Sequence, residues 1–337
     1  FTLDNTTTAV NLGTVGVTGA LSVTSGETIT DSGVITVGGT SAFTTDVNNK
    51  AITLGSSNAM SGNITVTTQG TSGNVTIDNG TTALGIQGTV NGALDLTAGA
   101  AITDSGTLTV SGASDFTIDN GSNHITLGTA ALTGAIGVST TGTSNFTLDN
   151  TTTAVNLGTV GVTGALSVTS GAAITDSGVI TVGGTATFVT DVNDIDIVLD
   201  SNNAITGAVT FTTQTGGSNG ADITFDNGTT AISLAGFTTR GNLTLKTDAA
   251  IALTGHNVNG ALAVTSGDAI TQSAALTVSG TSSFTSTGSN DNITLSTNSN
   301  AMSGNITVST QGTSGDVTID NGTTALGIQG TVNGALD

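Results

Sequence analysis

Few side chains in this sequence could carry out acid–base chemistry. The 337 residues include only two histidines, His124 and His256, which are far apart along the chain. Lys50, Arg240 and Lys246 are the only basic residues against 23 acidic ones, and the net charge is −20. Because phosphate binding requires clustered Lys and Arg, this composition excludes nucleic acid as a partner.

Paired carboxylates are the remaining enzymatic interpretation, because glycosidases cleave their substrates with two of them. Glu27 is the only Glu in the chain, and Asp31 follows four residues later. In a second copy of this segment Ala172 replaces Glu27, whereas Asp176 retains the carboxylate of Asp31. No P-loop, nucleophile motif or zinc-protease spacing is present. We therefore expect Glu27 to decorate a turn, and we expect that the protein is not an enzyme.

An Asp-Asn pair recurs after short apolar segments throughout the chain. Its members are Asp4-Asn5, Asp78-Asn79, Asp119-Asn120, Asp149-Asn150, Asp226-Asn227 and Asp320-Asn321. Such pairs favour turns in which the Asp side chain accepts hydrogen bonds from nearby backbone N–H groups. The alternative is divalent cation binding, because Ca²⁺ prefers oxygen-rich sites. The Gly-Gly-x-Gly-x-Asp pattern of calcium-binding β-rolls is absent.

The segment 191–202 has the highest density of negative charge. If its Ile and Leu side chains point inward, Asp194, Asp196 and Asp200 share the outer face of a strand. Carboxylates two residues apart on a strand lie about 6–7 Å apart. The sequence therefore predicts a calcium site at Asp194, Asp196 and Asp200, with a solvated acidic edge as the alternative; no other cofactor is expected.

Long internal duplications show how the chain is divided into the repeated units that position these side chains. Residues 1–40 recur at 146–185, and residues 59–95 recur at 301–337, each with two substitutions. Shorter modules of about 20 residues lie beneath these duplications. We expect one continuous repeat array over residues 1–337, forming part of a longer protein.

The apolar residues of each module come as pairs two positions apart, which places both side chains on one face of a strand. Such pairs include Phe1/Leu3, Leu21/Val23, Ile52/Leu54, Phe146/Leu148, Leu166/Val168 and Ile306/Val308. Gly, Asn, Asp and Ser separate the pairs, as turns require, and no helical period is present. Units this short bury an apolar face only by stacking. The pattern predicts an all-β parallel β-solenoid with about 20–22 residues per coil and no helices; the antiparallel sandwich, which needs about 100 residues per unit, is the rival.

The segments 171–185, 268–281 and 290–297 resemble repeats of filamentous-haemagglutinin-like giant adhesins of bacteria. The resemblance lies in composition and period, and it covers most of the chain. It implies a right-handed β-helix, export across the bacterial envelope and a role at the cell surface or in released material. The near identity of the repeats and the scarcity of Lys and Arg depart from the usual adhesin pattern.

Two functions fit these observations. The first is a structural extracellular protein whose solenoid rods bind copies of themselves, end to end or laterally, to form a filament, sheath or surface layer. The second is an adhesin stalk that binds cell-surface glycans. The absence of Cys fits maturation outside the reducing cytosol, and no apolar run reaches the ~18 residues needed to span a bilayer. We expect a secreted bacterial protein at the cell surface or in a released fibre.

Overall fold

The chain forms two compact units, Phe1–Gly171 and Ala172–Asp337. The computed structural model describes residues 1–214, 216–217, 220–296 and 299–337. Thr297, the last residue of the segment 290–297, lies outside the described residues. Within them all regular secondary structure is β, with no helix, as predicted. None of the described residues forms a helix able to cross a membrane.

The first unit is built from short strands. They are β1 (Thr2–Asn5), β2 (Val10–Leu12), β3 (Val15–Val17), β4 (Leu21–Ser25), β5 (Ile29–Asp31), β6 (Ile35–Val37), β7 (Ser41–Asn48), β8 (Ile52–Leu54), β9 (Ala59–Met60), β10 (Ile64–Gln69), β11 (Val75–Asp78), β12 (Leu84–Val90), β13 (Leu94–Ala98), β14 (Ile102–Val110), β15 (Ser114–Ile118), β16 (Ile125–Leu127), β17 (Ala130–Leu132), β18 (Ala135–Ser139), β19 (Phe146–Asp149), β20 (Val155–Val162) and β21 (Leu166–Ser170).

The second unit is built in the same way. Its strands are β22 (Ile174–Asp176), β23 (Ile180–Val182), β24 (Ala186–Asn193), β25 (Ile197–Leu199), β26 (Ala204–Ile205), β27 (Val209–Gln214), β28 (Ile223–Asp226), β29 (Thr238–Thr239), β30 (Leu243–Thr247), β31 (Ile251–Thr254), β32 (Asn257–Val258), β33 (Leu262–Ser266), β34 (Ile270–Ala274), β35 (Thr277–Val278), β36 (Ser282–Ser289), β37 (Ile293–Leu295), β38 (Ala301–Met302), β39 (Ile306–Gln311), β40 (Val317–Ile319) and β41 (Ile328–Thr331).

Each strand pairs in parallel with the equivalent strand of the next coil, where a coil is one turn of the chain. In the first unit β1, β4, β7, β10 and β12 form one ladder, β2, β5, β8, β11 and β13 a second, and β3, β6 and β9 a third. In the second unit β28, β30, β33, β36, β39 and β41 form one ladder, and β29, β32, β35 and β38 another. Each unit is therefore a parallel β-solenoid, and together they contain about 16 turns.

The apolar pairs line the interior of each solenoid. Leu21, Val23, Ile52, Leu54, Phe146, Leu148, Leu166, Val168, Ile306 and Val308 are all at most 1% exposed. Parallel pairing places equivalent apolar positions of successive coils side by side. Ile52 lies beside Val75, and Leu54 lies beside Ile77. The predicted inward register is thus confirmed for these pairs.

The register prediction also holds for Phe1 and Leu3, because Leu3 lies beside the buried Val23, but the expected burial is wrong for Phe1. Its side chain is 66% exposed, and Leu3 is only partly buried. Among the described strands β1 pairs with β4 alone, so that coils cover this pair on one side only. An inward-facing side chain in a solenoid is buried only when a coil lies both before and after it.

Coil length varies at the corners rather than within the strands. Leu21 pairs with Ser41, and Ser41 in turn pairs with Ile64, so that the second of these two coils is the longer one. The longer coil places Asp46, Val47 and Asn48 at an exposed end of β7, beyond the part that pairs with β4. The predicted coil length therefore describes the typical coil, and the corners absorb the difference.

Candidate functional site: the polar corners

The recurring Asp-Asn pairs lie where a strand ends, and their two side chains have different roles. Asp78 Oδ1 accepts a hydrogen bond from the Gly80 N–H at 2.7 Å. Gly80 has a φ of +54°, in the left-handed region that favours glycine. Asn79 is fully buried and reaches the preceding coil, where its Oδ1 accepts from the Met60 N–H at 2.9 Å and its Nδ2 donates to the Met60 carbonyl at 3.1 Å. The Asp closes the turn, and the Asn joins two coils.

The same geometry recurs at three other pairs. The Oδ1 atoms of Asn150, Asn227 and Asn321 accept from backbone N–H groups of the preceding coil, at 2.8–2.9 Å. Their Nδ2 atoms donate to the carbonyl of the same residue, and the preceding Asp accepts from the N–H two residues ahead of it. We call Asn79, Asn150, Asn227 and Asn321 the bridging asparagines. Their pairs confirm the turn interpretation.

Two pairs depart from this geometry. Asn5 Nδ2 donates to Thr8 Oγ1 at 2.8 Å, within its own corner. Asn120 is exposed, and its carbonyl accepts from Asn123 Nδ2 at 3.0 Å. An Asp-Asn pair in the sequence is therefore insufficient to make a coil-to-coil bridge.

A second type of corner uses the carboxylate of the repeated Ile-Thr-Asp segment. Asp31 accepts hydrogen bonds from the N–H groups of Gly55 and Ser56 at 2.9 and 3.1 Å, and from Asn58 Nδ2 at 2.8 Å. Asn58 is 1% exposed and its Oδ1 accepts from the Ile35 N–H at 2.7 Å. One carboxylate thus caps the corner of the following coil, and one amide links three chain segments.

Asp176 and Asn203 repeat this arrangement in the second unit. Asp176 accepts from the N–H groups of Asp200 and Ser201 and from Asn203 Nδ2, the last at 2.7 Å. In a third copy Gln272 replaces the Asp. Its amide exchanges two hydrogen bonds of 2.9 Å with the amide of the buried Asn300. A neutral side chain can therefore take the place of the carboxylate, which indicates a structural rather than a charge-dependent role.

The three predicted calcium ligands lie on the outside of the second unit. Asp194, at a φ of +60°, accepts a hydrogen bond from the Gly220 N–H at 2.9 Å. Asp196 is exposed, and its Oδ1 accepts from the Asp222 N–H at 2.8 Å. Asp200 is also exposed, and its backbone N–H donates to Asp176. Within the described parts of the chain, no three His, Asp or Glu side chains converge as metal ligands do. The calcium site stays a prediction.

Two basic residues are engaged in ion pairs within their own unit. Lys50 Nζ lies 2.7 Å from Glu27 Oε2, and the two side chains come from corners of successive coils. Lys246 Nζ lies 2.7 Å from Asp226 Oδ2, and this contact raises the pKa of Lys246. Sequence analysis missed the Glu27–Lys50 pair. The signal was present, because the second copy replaces both members, with Ala172 and Ile195.

Two stacked carboxylates lie on adjacent strands of the first unit. Asp95 and Asp115 are register partners on β13 and β15. Burial raises the pKa of Asp95, and the neighbouring charge of Asp115 raises it further. At the next position of the column Gly137 leaves room for the Asp115 carboxylate, which would contact a Cβ placed there. The carboxylates of Asp95 and Asp115 therefore repel each other on the exposed side of the two strands.

The two histidines occupy different environments, one in each unit. His124 is exposed, and its Nδ1 accepts a hydrogen bond from the Asn145 N–H at 3.1 Å. His256 is 1% exposed, and neither ring nitrogen has a hydrogen-bond partner. Burial lowers the pKa of His256 to about 4. The ring packs edge-on against Phe237, with centroids 5.0 Å apart.

His256 ends a row of aromatic rings that sequence analysis did not foresee. Phe188 stacks on Phe211 at 5.7 Å, and Phe211 contacts Phe225 and Phe237 edge-on at 5.5 and 6.1 Å. These rings come from neighbouring coils of the second unit, with Phe211 and Phe225 in the same coil. Since coil boundaries there are irregular, their spacing in sequence gives no common period, and only the register brings them together.

A family model that describes repeats of unknown function (DUF5649) matches residues 1–67, 72–142, 143–212 and 240–309. The matches cover most of the chain. The chain belongs to the DUF5649 repeat family. Each DUF5649 repeat spans about three coils, and the segment 213–239, with Phe225 and Phe237, falls between two repeats. Comparisons with curated proteins and with solved structures give no match.

Proposed function

We propose that this protein is a structural extracellular component whose β-solenoids associate with copies of themselves into a filament, sheath or surface layer. One observation carries the proposal: the most recurrent polar side chains hold coils to coils. The bridging asparagines are buried, and Asp31 and Asp176 accept several hydrogen bonds each from the following coil. These recurrent polar side chains are thus used as internal links between coils.

The electrostatics favour association through neutral surfaces. Lys50 and Lys246 are already paired within the chain, so that they offer little to a neighbouring copy. A net charge of −20 makes copies repel one another at low ionic strength, and salt or divalent cations screen that repulsion. Outward Thr, Ser and Asn side chains remain as the contact groups.

The resemblance to filamentous-haemagglutinin-like adhesins supports a bacterial origin and export to the cell surface as parts of the proposal. Membership of a repeat family and the solenoid fold agree with it but do not distinguish a filament subunit from an adhesin stalk. We favour assembly because the exposed large apolar side chains of the described residues include only one aromatic, Phe1, whereas sugar binding uses aromatic stacking.

Electron microscopy and sedimentation of the purified protein test the proposal. We expect ordered filaments or layers, which should grow as NaCl is raised or millimolar Ca²⁺ is added, because both screen the acidic surface. Single particles under every ionic condition would contradict assembly. If such particles also bound glycans on an array, the adhesin-stalk alternative would replace the proposal.

A further inference from the structure

The surroundings of His256 form an unusual point in the second unit. Its ring is buried among apolar groups, and both nitrogens lack a hydrogen-bond partner. A neutral imidazole tolerates this position at a cost, whereas an imidazolium would place an unpaired charge in the interior. The position is therefore compatible with only one protonation state.

The two copies of one duplicated segment have an aliphatic side chain at the position equivalent to His256, whereas six residues before Leu94 lies Gly88. His256 lies six residues before Leu262, which begins β33. Six residues before the equivalent Leu21 and Leu166 lie Val15 and Val160. A titratable ring has thus replaced an aliphatic side chain at an interior position.

The coil that precedes His256 is weakly paired. Residues 231–237 contribute only isolated bridges, from Ile232 to Ile251 and from Val209 to Leu234. The adjoining strands β29 and β32 have two residues each. Phe237, the ring that packs against His256, is itself partly exposed. Few backbone hydrogen bonds oppose a local separation here, and such regions open before the rest of a protein.

We propose that the coil holding His256 is an acid-sensitive opening point, at which protonation of the buried imidazole releases this part of the solenoid. Such a device would let mild acid loosen one defined coil while the others stay paired.

Charged groups on the neighbouring coils do not compensate an imidazolium. The charged residues of these coils are Arg240, Lys246, Asp248, Asp268 and Asp291, of which Asp291, in the following coil, is partly buried. Lys246, Asp248 and Asp268 are exposed, Arg240 is partly buried, and burial is the only cause of the shift in the pKa of His256. The buried Gln272 amide on β34 is bonded to Asn300. Acid sensitivity therefore depends on the ring itself.

The direction of the pH effect on opening, and the pH range in which it occurs, follow from the lowered pKa of His256. The opened state binds a proton near pH 6.5, the ordinary value, whereas the closed state does so only near pH 4. Stability is fully present above pH 6.5 and is lost as the pH falls towards 4. Between pH 7.5 and 5 the opening equilibrium constant should rise roughly 30-fold.

Hydrogen exchange tests this, with rates corrected for the intrinsic effect of pH. The reporters are the amides of Asn257, which donates to the Phe237 carbonyl, and Thr277, which donates to the His256 carbonyl. In the wild type their opening constants should rise by that factor from pH 7.5 to 5, and in His256→Val the rise should be absent. His124→Gln is the matched control and should behave as the wild type.

A second variant separates the loss of the titratable group from a loss of packing. His256→Phe keeps a ring against Phe237 but cannot titrate, and it should also lose the response. Equal pH dependence in the wild type and in either variant that folds would overturn the proposal, as would loss of the response in His124→Gln. An NMR titration of the folded protein that places the His256 midpoint near 6.5 would overturn it too.

Discussion

Residues 1–26 and 146–171 have identical sequences and lie in the same unit, yet they pair differently. In the first copy the stretch from Val10 to Val17 forms two strands, β2 and β3, whereas the same stretch in the second copy forms the single strand β20. Phe1 is 66% exposed, and Phe146 is fully buried. The two phenylalanines differ only in their neighbours.

Neighbouring coils explain the difference. Phe146 lies between Ile125 on one side and Leu166 on the other, whereas β1 has a described partner in β4 alone. The bridging asparagine behaves likewise, because Asn150 bonds to Leu132 in the preceding coil and Asn5 bonds within its own corner. The structure of a module is thus set by the coils that flank it, as nearest-neighbour coupling in repeat proteins requires.

Truncating the two phenylalanines should give the largest contrast. Phe146→Ala removes a ring that stacks on Phe116 and should lower the free energy of unfolding by about 3–5 kcal/mol. In the 337-residue chain Phe1→Ala should change it by less than about 0.5 kcal/mol, because a side chain exposed in that chain loses little on truncation. Urea unfolding monitored by circular dichroism measures both. Similar losses in the two variants would show that burial does not distinguish the copies.

The paired asparagines should show a smaller contrast. Asn150→Ala leaves the N–H and carbonyl of Leu132 without their side-chain partners in the interior, which should cost about 1–3 kcal/mol. Asn5→Ala removes one exposed hydrogen bond and should be close to neutral. Hydrogen exchange at the Leu132 amide gives a local readout, since it should accelerate in Asn150→Ala only. An unchanged exchange rate at the Leu132 amide would show that the Asn150 side chain does not link the two coils.

Calcium should have the smallest effect. The predicted site at Asp194, Asp196 and Asp200 requires that Ca²⁺ stabilise the folded state by about 0.4 kcal/mol when its concentration equals the dissociation constant. The gain should disappear in Asp196→Asn and persist in Asp46→Asn, which alters an exposed carboxylate at the end of β7 in the first unit. Melting temperatures in chelator and in millimolar Ca²⁺ decide the matter. The same Ca²⁺-induced shift in melting temperature in the wild type and in Asp196→Asn would favour the alternative interpretation, a solvated acidic edge.

The fold was predictable because a two-residue period of apolar side chains admits one inward face. Ile52/Leu54 and Leu166/Val168 lie where the pattern placed them. Phe1 has the predicted register but is exposed, since burial depends on coverage by neighbouring coils, which a local pattern does not encode. The turn formed by Asp78 was also predictable, because it joins residues two positions apart.

The contacts of Asn79 and His256 were not predictable from local pattern. The bridge from Asn79 reaches Met60 in the preceding coil, but the sequence separation between register partners changes from coil to coil. It is short between Val75 and Leu94 and clearly longer between Ile197 and Ile223. Without the register, the residue one coil away remains unknown. For His256 a signal existed, because alignment with Val15 and Val160 places it at an interior position.

The variable corners also bear on how such a gene can change. An in-frame insertion at a corner such as 49–51, between β7 and β8, adds exposed backbone and leaves the next strand in phase, and the entropy of closing a loop grows only slowly with its length. A single codon inserted within a strand would instead turn every later side chain of that strand to the opposite face. Replication slippage and recombination between the near-identical copies can therefore lengthen or shorten the protein, provided that the breakpoints fall at corners.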